Sequence, residues 1–344
     1  MNAILAEDIR YIHEQIDFSR LQGSTILITG ATGLIGSLAV QALLAWNQKA
    51  DVPIKVIALV RSVEKAEKLF QAFAADALEY LVSDVAQVPV EDMGIDYIIH
   101  GASQTASKAF VNEPVEVTMT AINGTLRLLE LARVNPVKSF VYLSSMEVYG
   151  TPHSDEKIYE DHPTDLLTTD VRTCYPESKR MCENLCASYA SEFGVPTKMI
   201  RLTQTFGTGV SYNDGRVFAE FARCVIEKRD IILKTKGETK RSYLYTADAV
   251  TAILSVLLHG EKGVAYNAAN EETYCSIYEM ACMAAKLCDV PLQVVIAESD
   301  NVRALGYAPT LHMNLSTEKL AQLGWKPRYD LSQMYLRMIR TMTV

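Results

Sequence analysis

The sequence lacks any apolar run long enough to cross a bilayer. Its strongest runs among 344 residues, such as Val250–Leu258, are far shorter than the ~20 residues that a spanning helix needs. Residues 1–22 carry acidic and basic side chains throughout, without the apolar segment that a signal peptide requires. These absences predict a protein without membrane spans that works in the cytoplasm.

The sequence also lacks a recognisable metal-binding pattern. Its seven cysteines include no Cys-x-x-Cys pair. Cys182 and Cys186 are one helical turn apart and can in principle share a metal, but no histidine lies near them in the sequence. We therefore interpret them as buried, reduced thiols on a helix and predict no metal site, which is consistent with a reducing compartment.

An excess of positive charge is missing as well. The chain has 33 lysines and arginines against 41 aspartates and glutamates, so its formal net charge is -8. An acidic chain repels nucleic acid and anionic membranes, and neither is expected as a partner. A phosphate-bearing ligand would need a local positive patch.

Short apolar strands alternate with helical segments over the first two hundred residues. We predict strands at residues 25–29, 54–60, 80–82, 97–100, 139–143 and 199–202. This alternation indicates an α/β fold with a doubly wound parallel Rossmann sheet and a smaller C-terminal substrate lobe. The dinucleotide-binding domain would span residues 1–203, with residues 243–268 returning to it, and the lobe would comprise residues 204–242 and 269–344.

A glycine-rich turn follows the first predicted strand. Gly30 permits a tight turn, Gly33 lets a phosphate approach the backbone, and Gly36 lets the next helix pack on the strand. The spacing differs by one residue from the commoner dinucleotide fingerprint, and an ordinary strand–helix turn is the alternative. The predicted cofactor-binding residues of this turn are Gly30, Thr32, Gly33, Leu34, Ile35 and Gly36.

The end of the second strand bears on the choice of cofactor. An NAD site usually carries an acid there, which holds the ribose 2′-hydroxyl. This chain has Arg61 and Ser62, and both can bind a 2′-phosphate. The pair favours NADP over NAD, unless Arg61 is only a solvated surface base.

Tyr175 and Lys179 form a candidate proton-transfer pair. Residues four apart lie on one helix face, so the ammonium can stand beside the phenol and favour its ionised form. The lysine can also hold the ribose hydroxyls of the cofactor. Ser145, at the end of a buried strand, would hold the substrate oxygen. The alternative is a tyrosine at a helix start beside a solvated lysine.

The chain resembles the extended short-chain dehydrogenase/reductase family, in its nucleotide-sugar epimerase, dehydratase and decarboxylase branch. The glycine turn, the strand end 144–150 (SSMEVYG) and the pair Tyr175 and Lys179 carry the resemblance, which covers nearly the whole chain. It implies that Asp84, with its neighbour Val85, lies at the adenine, and that Ala102 and Ser103 line the nicotinamide pocket. It also implies a homodimer through the helices at residues 114–134 and 176–193.

The C-terminal half extends the resemblance. The run 213–217 (NDGRV) is similar to UDP-glucuronate decarboxylases, and the run 241–248 (RSYLYTAD) resembles a stretch that contacts a nucleotide diphosphate. The resemblance implies a nucleoside-diphosphate sugar as substrate, held by Arg216 and Arg241 as the local positive patch. Gln204 stands where the branch usually has an asparagine, so substrate placement is expected to differ.

The resemblance implies a chemistry in which Tyr175 removes a sugar hydroxyl proton while a hydride passes to the nicotinamide, which gives a keto-sugar. Met146 replaces the aspartic acid of 4,6-dehydratases, and a thioether cannot protonate a leaving hydroxyl. An epimerase or a decarboxylase is therefore favoured over a dehydratase. Glu147 remains as an auxiliary acid or base, unless it is a solvated loop acid.

Two other functions stay open. A reductase that uses NADPH once per turnover on a nucleotide-linked ketose or ketosugar needs no acid at position 146. A non-catalytic, dinucleotide-sensing protein would make Tyr175, Lys179 and Ser145 accidental.

Overall fold

A computed structural model describes residues 2–73, 75–298 and 309–342 of the chain. The helices are α1 Ala3–Gln15, α2 Leu34–Asn47, α3 Val63–Phe70, α4 Ser107–Asn112, α5 Pro114–Val134, α6 Cys174–Glu192, α7 Val217–Glu227, α8 Thr246–His259, α9 Ile277–Ala285, α10 Glu318–Ala321 and α11 Leu331–Met342. The strands are β1 Thr25–Thr29, β2 Lys55–Val60, β3 Leu78–Val82, β4 Tyr97–His100, β5 Ser139–Ser145, β6 Thr197–Leu202, β7 Gln204–Phe206, β8 Ile231–Leu233, β9 Lys240–Tyr245, β10 Ala265–Ala268, β11 Asn270–Ser276, β12 Val294–Ile296 and β13 His312–Met313.

Seven parallel strands form the main sheet, in the order β10-β6-β5-β4-β1-β2-β3. The order reverses between β1 and β4, where Thr29 pairs with His100 at the carboxyl ends of both strands. Crevices at such a reversal are the usual ligand sites of open α/β sheets. The predicted α/β fold with a doubly wound parallel sheet is confirmed.

Helices cover both faces of this sheet because its strands are apolar on both sides. In β1, Ile26 and Ile28 pack into the core shared with α2 and α8, whereas Leu27 between them packs into the core shared with α5 and α6. The alternation follows from the two-residue period of a strand. Cys182 and Cys186 are free thiols buried in the second of these cores, as the sequence indicated.

After β6 the chain builds a second, four-stranded sheet. Strand β9 lies at its centre, pairs antiparallel with β11, and pairs parallel with β7 and β13. Strands β8 and β12 form a separate parallel pair. Between these pieces the chain returns to the main sheet, where β10 becomes the edge strand beside β6.

The first and last helices are held to the body by buried carboxylates. Asp8 of α1 accepts hydrogen bonds from Arg337 Nη2 (2.7 Å) and from the Tyr245 hydroxyl (2.9 Å). Tyr11 donates to Asp248 at 2.6 Å, and burial raises the pKa of Asp248 to about 6. The contacts dock α1 against α8 and α11.

The described residues contain neither a membrane-spanning helix nor a metal-binding cluster. No helix there is long and apolar enough to span a membrane. No group of three or more His, Cys, Asp or Glu side chains there is arranged to hold a metal ion.

Candidate active site

The glycine turn is closed by backbone contacts that leave no room for side chains. Gly30 has a φ of +67°, and a Cβ there would lie 2.8 Å from the carbonyl of Gly101. A Cβ on Gly36 would lie 2.3 Å from the Gly30 oxygen. The turn after β1 therefore fits tightly against the segment after β4 and against the start of α2.

Helix α2 begins at this turn and offers its amide groups to a ligand. Gly33 is its N-cap, and no side chain caps it. The first-turn N–H groups and the partial positive charge of the helix end favour an anion such as pyrophosphate. Thr32, Leu34 and Ile35 of the predicted set lie half-buried around this helix start. These residues fit a dinucleotide.

A buried histidine fixes the segment after β4. The Thr29 hydroxyl accepts hydrogen bonds from the amides of Gly101 (3.1 Å) and Ala102 (3.0 Å). Its own proton therefore goes to Nδ1 of His100, at 2.8 Å, and His100 Nε2 donates to the Thr125 hydroxyl at 3.1 Å. Burial, together with the charge of Lys179, lowers the pKa of His100 to about 3, so the ring is neutral. The network holds the segment on which Ala102 and the predicted Ser103 lie.

The remaining predicted cofactor residues lie near the ends of β2 and β3. Arg61 is exposed after β2, and the Ser62 hydroxyl accepts from the Lys65 amide at 3.3 Å as the N-cap of α3. Asp84 is exposed and caps the short turn that follows it, accepting from the Ala86 amide at 2.9 Å. Val85 is buried, and a Cβ on Gly124 of α5 would lie 2.7 Å from its Cγ1. Its position indicates a packing role.

Tyr175 lies in the first turn of α6 and is 8% exposed. Its ring stacks on that of Phe110 from α4, with centroids 4.5 Å apart and planes at 11°. The Ser145 hydroxyl lies close enough to the phenol to lower its pKa. The tyrosine thus meets the carboxyl end of β5, on the edge of the sheet that also carries the glycine turn.

Lys179 is buried beside this tyrosine. Its ammonium donates to the Leu143 carbonyl at 2.7 Å and lies 5.7 Å from the Tyr175 ring centroid and 4.7 Å from that of Tyr142. Burial lowers the pKa of Lys179 to about 8. The lysine is therefore a ring contact and a backbone donor, rather than a solvated surface charge.

The electrostatics of Tyr175 differ from the sequence-based expectation. Burial and the negative charge of Glu147 raise the pKa of the phenol, whereas the Ser145 hydroxyl and the charge of Arg172 lower it. The sequence pointed to Lys179 as the group that favours the phenolate. In the structure that influence comes from Ser145 and Arg172.

Arg172 is the residue that sequence reasoning missed. It lies in the short helical turn Val171–Thr173 before α6, and its Nη1 donates to Glu147 Oε2 at 2.8 Å. The side chains of Arg172 and Glu147 are 18% and 26% exposed, so Glu147 is held in a partly buried ion pair and is not a freely solvated loop acid. No motif marks Arg172, because the contact depends on how residues 151–171 return to the sheet edge.

The predicted substrate residues lie around the second sheet. Gln204 is half-buried at the start of β7 and pairs with Tyr243 of β9, two residues beyond Arg241. The Arg241 Nε is buried and has no hydrogen-bond partner among the described residues. Arg216 is instead paired with Asp214, through Nε (3.0 Å to Oδ1) and Nη2 (2.6 Å to Oδ2). The positive patch is thus partly neutralised at Arg216.

Met146 is buried in a small apolar cluster and is 5% exposed. Its sulfur accepts from the Thr203 hydroxyl at 3.3 Å. The side chain at this position is packed in the protein interior and offers no proton.

The chain is similar to known proteins over most of its length. The chain is 26% identical over 312 residues to a UDP-glucuronic acid decarboxylase 2 of Arabidopsis thaliana, covering 91% of this chain and 66% of that protein. A UDP-glucuronic acid decarboxylase 5 of the same plant is 26% identical, with 90% and 86% covered.

Solved structures share the fold. UDP-glucose 4-epimerase from Thermotoga maritima superposes with a TM-score of 0.77 at 20% identity, covering 93% of this chain and 98% of that one. UDP-glucuronic acid 4-epimerase from Bacillus cereus, in complex with UDP-glucuronic acid and NAD, gives a TM-score of 0.77 at 20% identity, with 93% and 99% covered.

The match that decides the family covers most of the chain. Residues 26–269, from β1 to the start of β11, match the NAD dependent epimerase/dehydratase family. This range includes the glycine turn, the β5 end and the tyrosine–lysine helix. The chain is therefore an enzyme of the NAD dependent epimerase/dehydratase family.

Proposed function

We propose that the chain modifies a nucleoside-diphosphate sugar through a keto-sugar intermediate. The observation that carries this proposal is the convergence of Tyr175, Ser145 and Glu147 at the end of β5. The glycine turn follows β1 on the same edge of the sheet, where open α/β folds bind their ligands.

In this function each residue has a distinct task. Tyr175 takes the proton from a sugar hydroxyl, and Ser145 holds the reacting oxygen. A bound nicotinamide would supply the hydride acceptor at the carbon of that hydroxyl. Lys179 packs against the Tyr175 ring and would hold the ribose hydroxyls of the cofactor. Glu147 acts as an acid or base at the adjacent carbon.

Epimerase or decarboxylase chemistry fits the site better than dehydration. Dehydration of a sugar needs a proton donor for the leaving hydroxyl, and Met146 is a buried thioether. The relatives reported above are UDP-glucuronic acid decarboxylases, whereas the solved structures that share the fold include both 4-epimerases and 4,6-dehydratases. The preference over dehydration therefore rests on Met146. Epimerisation and decarboxylation can both proceed through a ketone at a sugar carbon.

We assign the nucleotide to the lobe built by residues 204–242 and 269–344. Arg241 lies on β9 two residues before Tyr243, which pairs with Gln204, and its buried Nε has no hydrogen-bond partner among the described residues. A diphosphate would supply an acceptor for it. A charge-assisted hydrogen bond of this kind is worth about 1.5–3 kcal/mol. Arg216 would also bind the diphosphate if its ion pair with Asp214 opened.

NADP is the proposed cofactor, and NAD is the alternative. Arg61 is exposed at the end of β2, and the neighbouring Ser62 hydroxyl keeps its proton free while it accepts from Lys65. We expect Arg61→Ala to weaken NADP binding at least tenfold more than NAD binding in calorimetry. Lys65→Ala, in the first turn of α3, is the control. An equal loss for both cofactors would reject the preference.

The decisive experiment incubates the pure protein with a panel of nucleoside-diphosphate sugars, including UDP-glucuronic acid. Product without net change in absorbance of reduced nicotinamide supports the epimerase or decarboxylase. Stoichiometric consumption of NADPH supports the reductase, which the exposed Arg61 favours. Tight dinucleotide binding without product from any sugar would leave a dinucleotide sensor.

We further propose that two copies associate through α5 and α6. These helices pack together and expose the apolar side chains Val115, Met119, Leu126 and Met181. Val115, Met119 and Leu126 recur at helical spacing on one face of α5. Light scattering should give twice the mass of one chain, and Met119→Asp should give one chain mass. A monomeric parent protein would reject the proposal.

The cytoplasm is the proposed compartment. All seven cysteines are free thiols, and such thiols persist under reducing conditions. Fractionation of cells that make the native protein would test this.

A further inference from the structure

The ion pair between Arg172 and Glu147 is placed against the reacting tyrosine. Arg172 lies three residues before Tyr175, and Glu147 lies two residues after Ser145. The Ser145 hydroxyl accepts from the Glu147 amide at 3.2 Å, so the backbone of the acid is fixed by the residue whose hydroxyl also lowers the pKa of Tyr175. The ion pair therefore links the end of β5 to the start of α6, the two elements that carry the site.

Phe110 of α4 completes the arrangement. Its ring stacks on the Tyr175 ring, and the Arg172 guanidinium carbon lies 5.4 Å from the Phe110 ring centroid. Cys174 Sγ also contacts the Phe110 carbonyl, at 3.4 Å. Stacking on an aromatic ring restricts a guanidinium to few orientations.

We propose that Arg172 is a positioning residue that fixes the Glu147 carboxylate beside the Tyr175 hydroxyl and compensates its charge there. The inference rests on the proposed function, since it gives Glu147 a defined place at the carbon next to the oxidised one. Glu147 without this partner would both lose its orientation and oppose the negative charge that develops on Tyr175.

Stability alone does not account for such a pair. A partly buried ion pair contributes little net stability, because desolvation of both charges offsets their attraction. The Arg172 Nε is also buried with no hydrogen-bond partner among the described residues, which is a further loss. A pair held under these conditions is better explained by its position in the site.

The charges around Tyr175 give the proposal a pH signature. Four polar groups face the phenol: Tyr142 from β5, Glu147 from the turn after β5, Arg172 from the Val171–Thr173 turn and Lys179 from α6. The groups that pack against it from α4 and α5 are the apolar Phe110 and Val117. Glu147 raises the pKa of Tyr175 and Arg172 lowers it. Removing the charge of Arg172 and removing that of Glu147 should therefore move the pH profile of kcat in opposite directions.

The test compares Arg172→Lys, Arg172→Met, Glu147→Gln and the double variant Arg172→Met with Glu147→Gln. The substrate is whichever sugar of the panel the wild type converts. We expect Arg172→Met to lower kcat about 100-fold with little change in KM, because misplacement of a reacting group by an ångström has about this effect. The acidic limb of its kcat profile should move to higher pH and that of Glu147→Gln to lower pH. Because Arg172 acts through Glu147, the double variant should lose no more activity than Glu147→Gln alone.

Two controls separate positioning from folding. Arg172→Lys keeps the charge and should retain the wild-type pH profile with an intermediate kcat, and Arg172→Ala should regain activity in millimolar guanidinium. Arg180→Met, on the exposed face of α6, should behave as wild type.

The outcomes also distinguish the two proposals. A wild-type protein that converts no sugar, or full activity of Tyr175→Phe, would refute the proposed function and this inference with it. An inactive Tyr175→Phe together with a wild-type kcat and pH profile for Arg172→Met would refute only the inference. Multiplicative losses in the double variant would show that Arg172 and Glu147 act independently, which also overturns it.

Discussion

Acid should destabilise this protein through His100, a buried neutral ring that carries the segment after β4. Protonation would place a hydrogen on Nδ1, which now accepts the proton of the Thr29 hydroxyl. That hydroxyl already accepts two amides and cannot accept a third donor without releasing one. Protonating His100 must therefore break one of the Thr29 hydrogen bonds that link the end of β1 to the end of β4.

The size of the effect follows from linkage. The folded pKa lies near about 3 and the unfolded one near 6.5, so between these values the unfolded chain binds more protons. The stabilising contribution is fully present above pH 6.5 and is lost as the pH falls below it. At pH 5 the loss relative to pH 8 is about 2 kcal/mol, since each pH unit below 6.5 is worth about 1.4 kcal/mol. Any folded pKa well below 5 gives the same result.

The assay measures the free energy of unfolding in urea at pH 8 and pH 5, for the wild type and for His100→Asn. The asparagine keeps an acceptor near Thr29 but does not titrate, so its pH-dependent loss should be smaller than that of the wild type by about 2 kcal/mol. Taking this difference cancels the other titrating groups. His153→Asn, at an exposed position, is the control. If the wild type and His100→Asn lose equal stability, the ring does not titrate as argued.

Three further predictions concern the site and the termini. Tyr175→Phe should lower kcat at least about 100-fold, since general acid–base catalysis contributes about 10²–10⁴, while calorimetry should show cofactor binding within threefold of wild type; undiminished turnover would remove the phenol from the mechanism. Gly36→Ala should abolish dinucleotide binding in the same assay, because its Cβ would lie 2.3 Å from the Gly30 oxygen, and retained affinity would contradict the tight turn. Arg337→Met should cost about 3 kcal/mol in urea unfolding, because Asp8 stays buried without its charge partner, whereas Arg328→Met in an exposed pair should cost less than about 1 kcal/mol. Similar losses for both arginines would show that Asp8 does not need its partner.

The inner strands of the main sheet could be predicted because they are apolar runs bounded by turns. The observed β1 spans the same residues as the predicted strand 25–29, and the predicted strand 80–82 is the carboxyl part of β3. Two-sided burial leaves a strong local signal that requires no knowledge of distant contacts. The same holds for the glycine turn, where the local backbone demands the residue type.

The electrostatic environment of the site could not be predicted in this way. Glu147 and Arg172 are 25 residues apart, and Phe110 lies on a six-residue helix without periodicity. Their meeting depends on the path of the segment between β5 and α6, which has few regular elements. Motifs therefore indicated Tyr175 and Lys179, but the partners that tune the phenol emerged only from the fold.

Strand β10 has a consequence for the protein while it is being made. It pairs with β6, yet the chain between Leu202 and Ala265 must first emerge from the ribosome. Until then β6 presents unpaired amides and carbonyls along its free side, and such an edge readily joins strands of other chains. A nascent chain stalled before residue 265 should therefore depend on chaperones, whereas one released after residue 268 has closed that edge with its own strand.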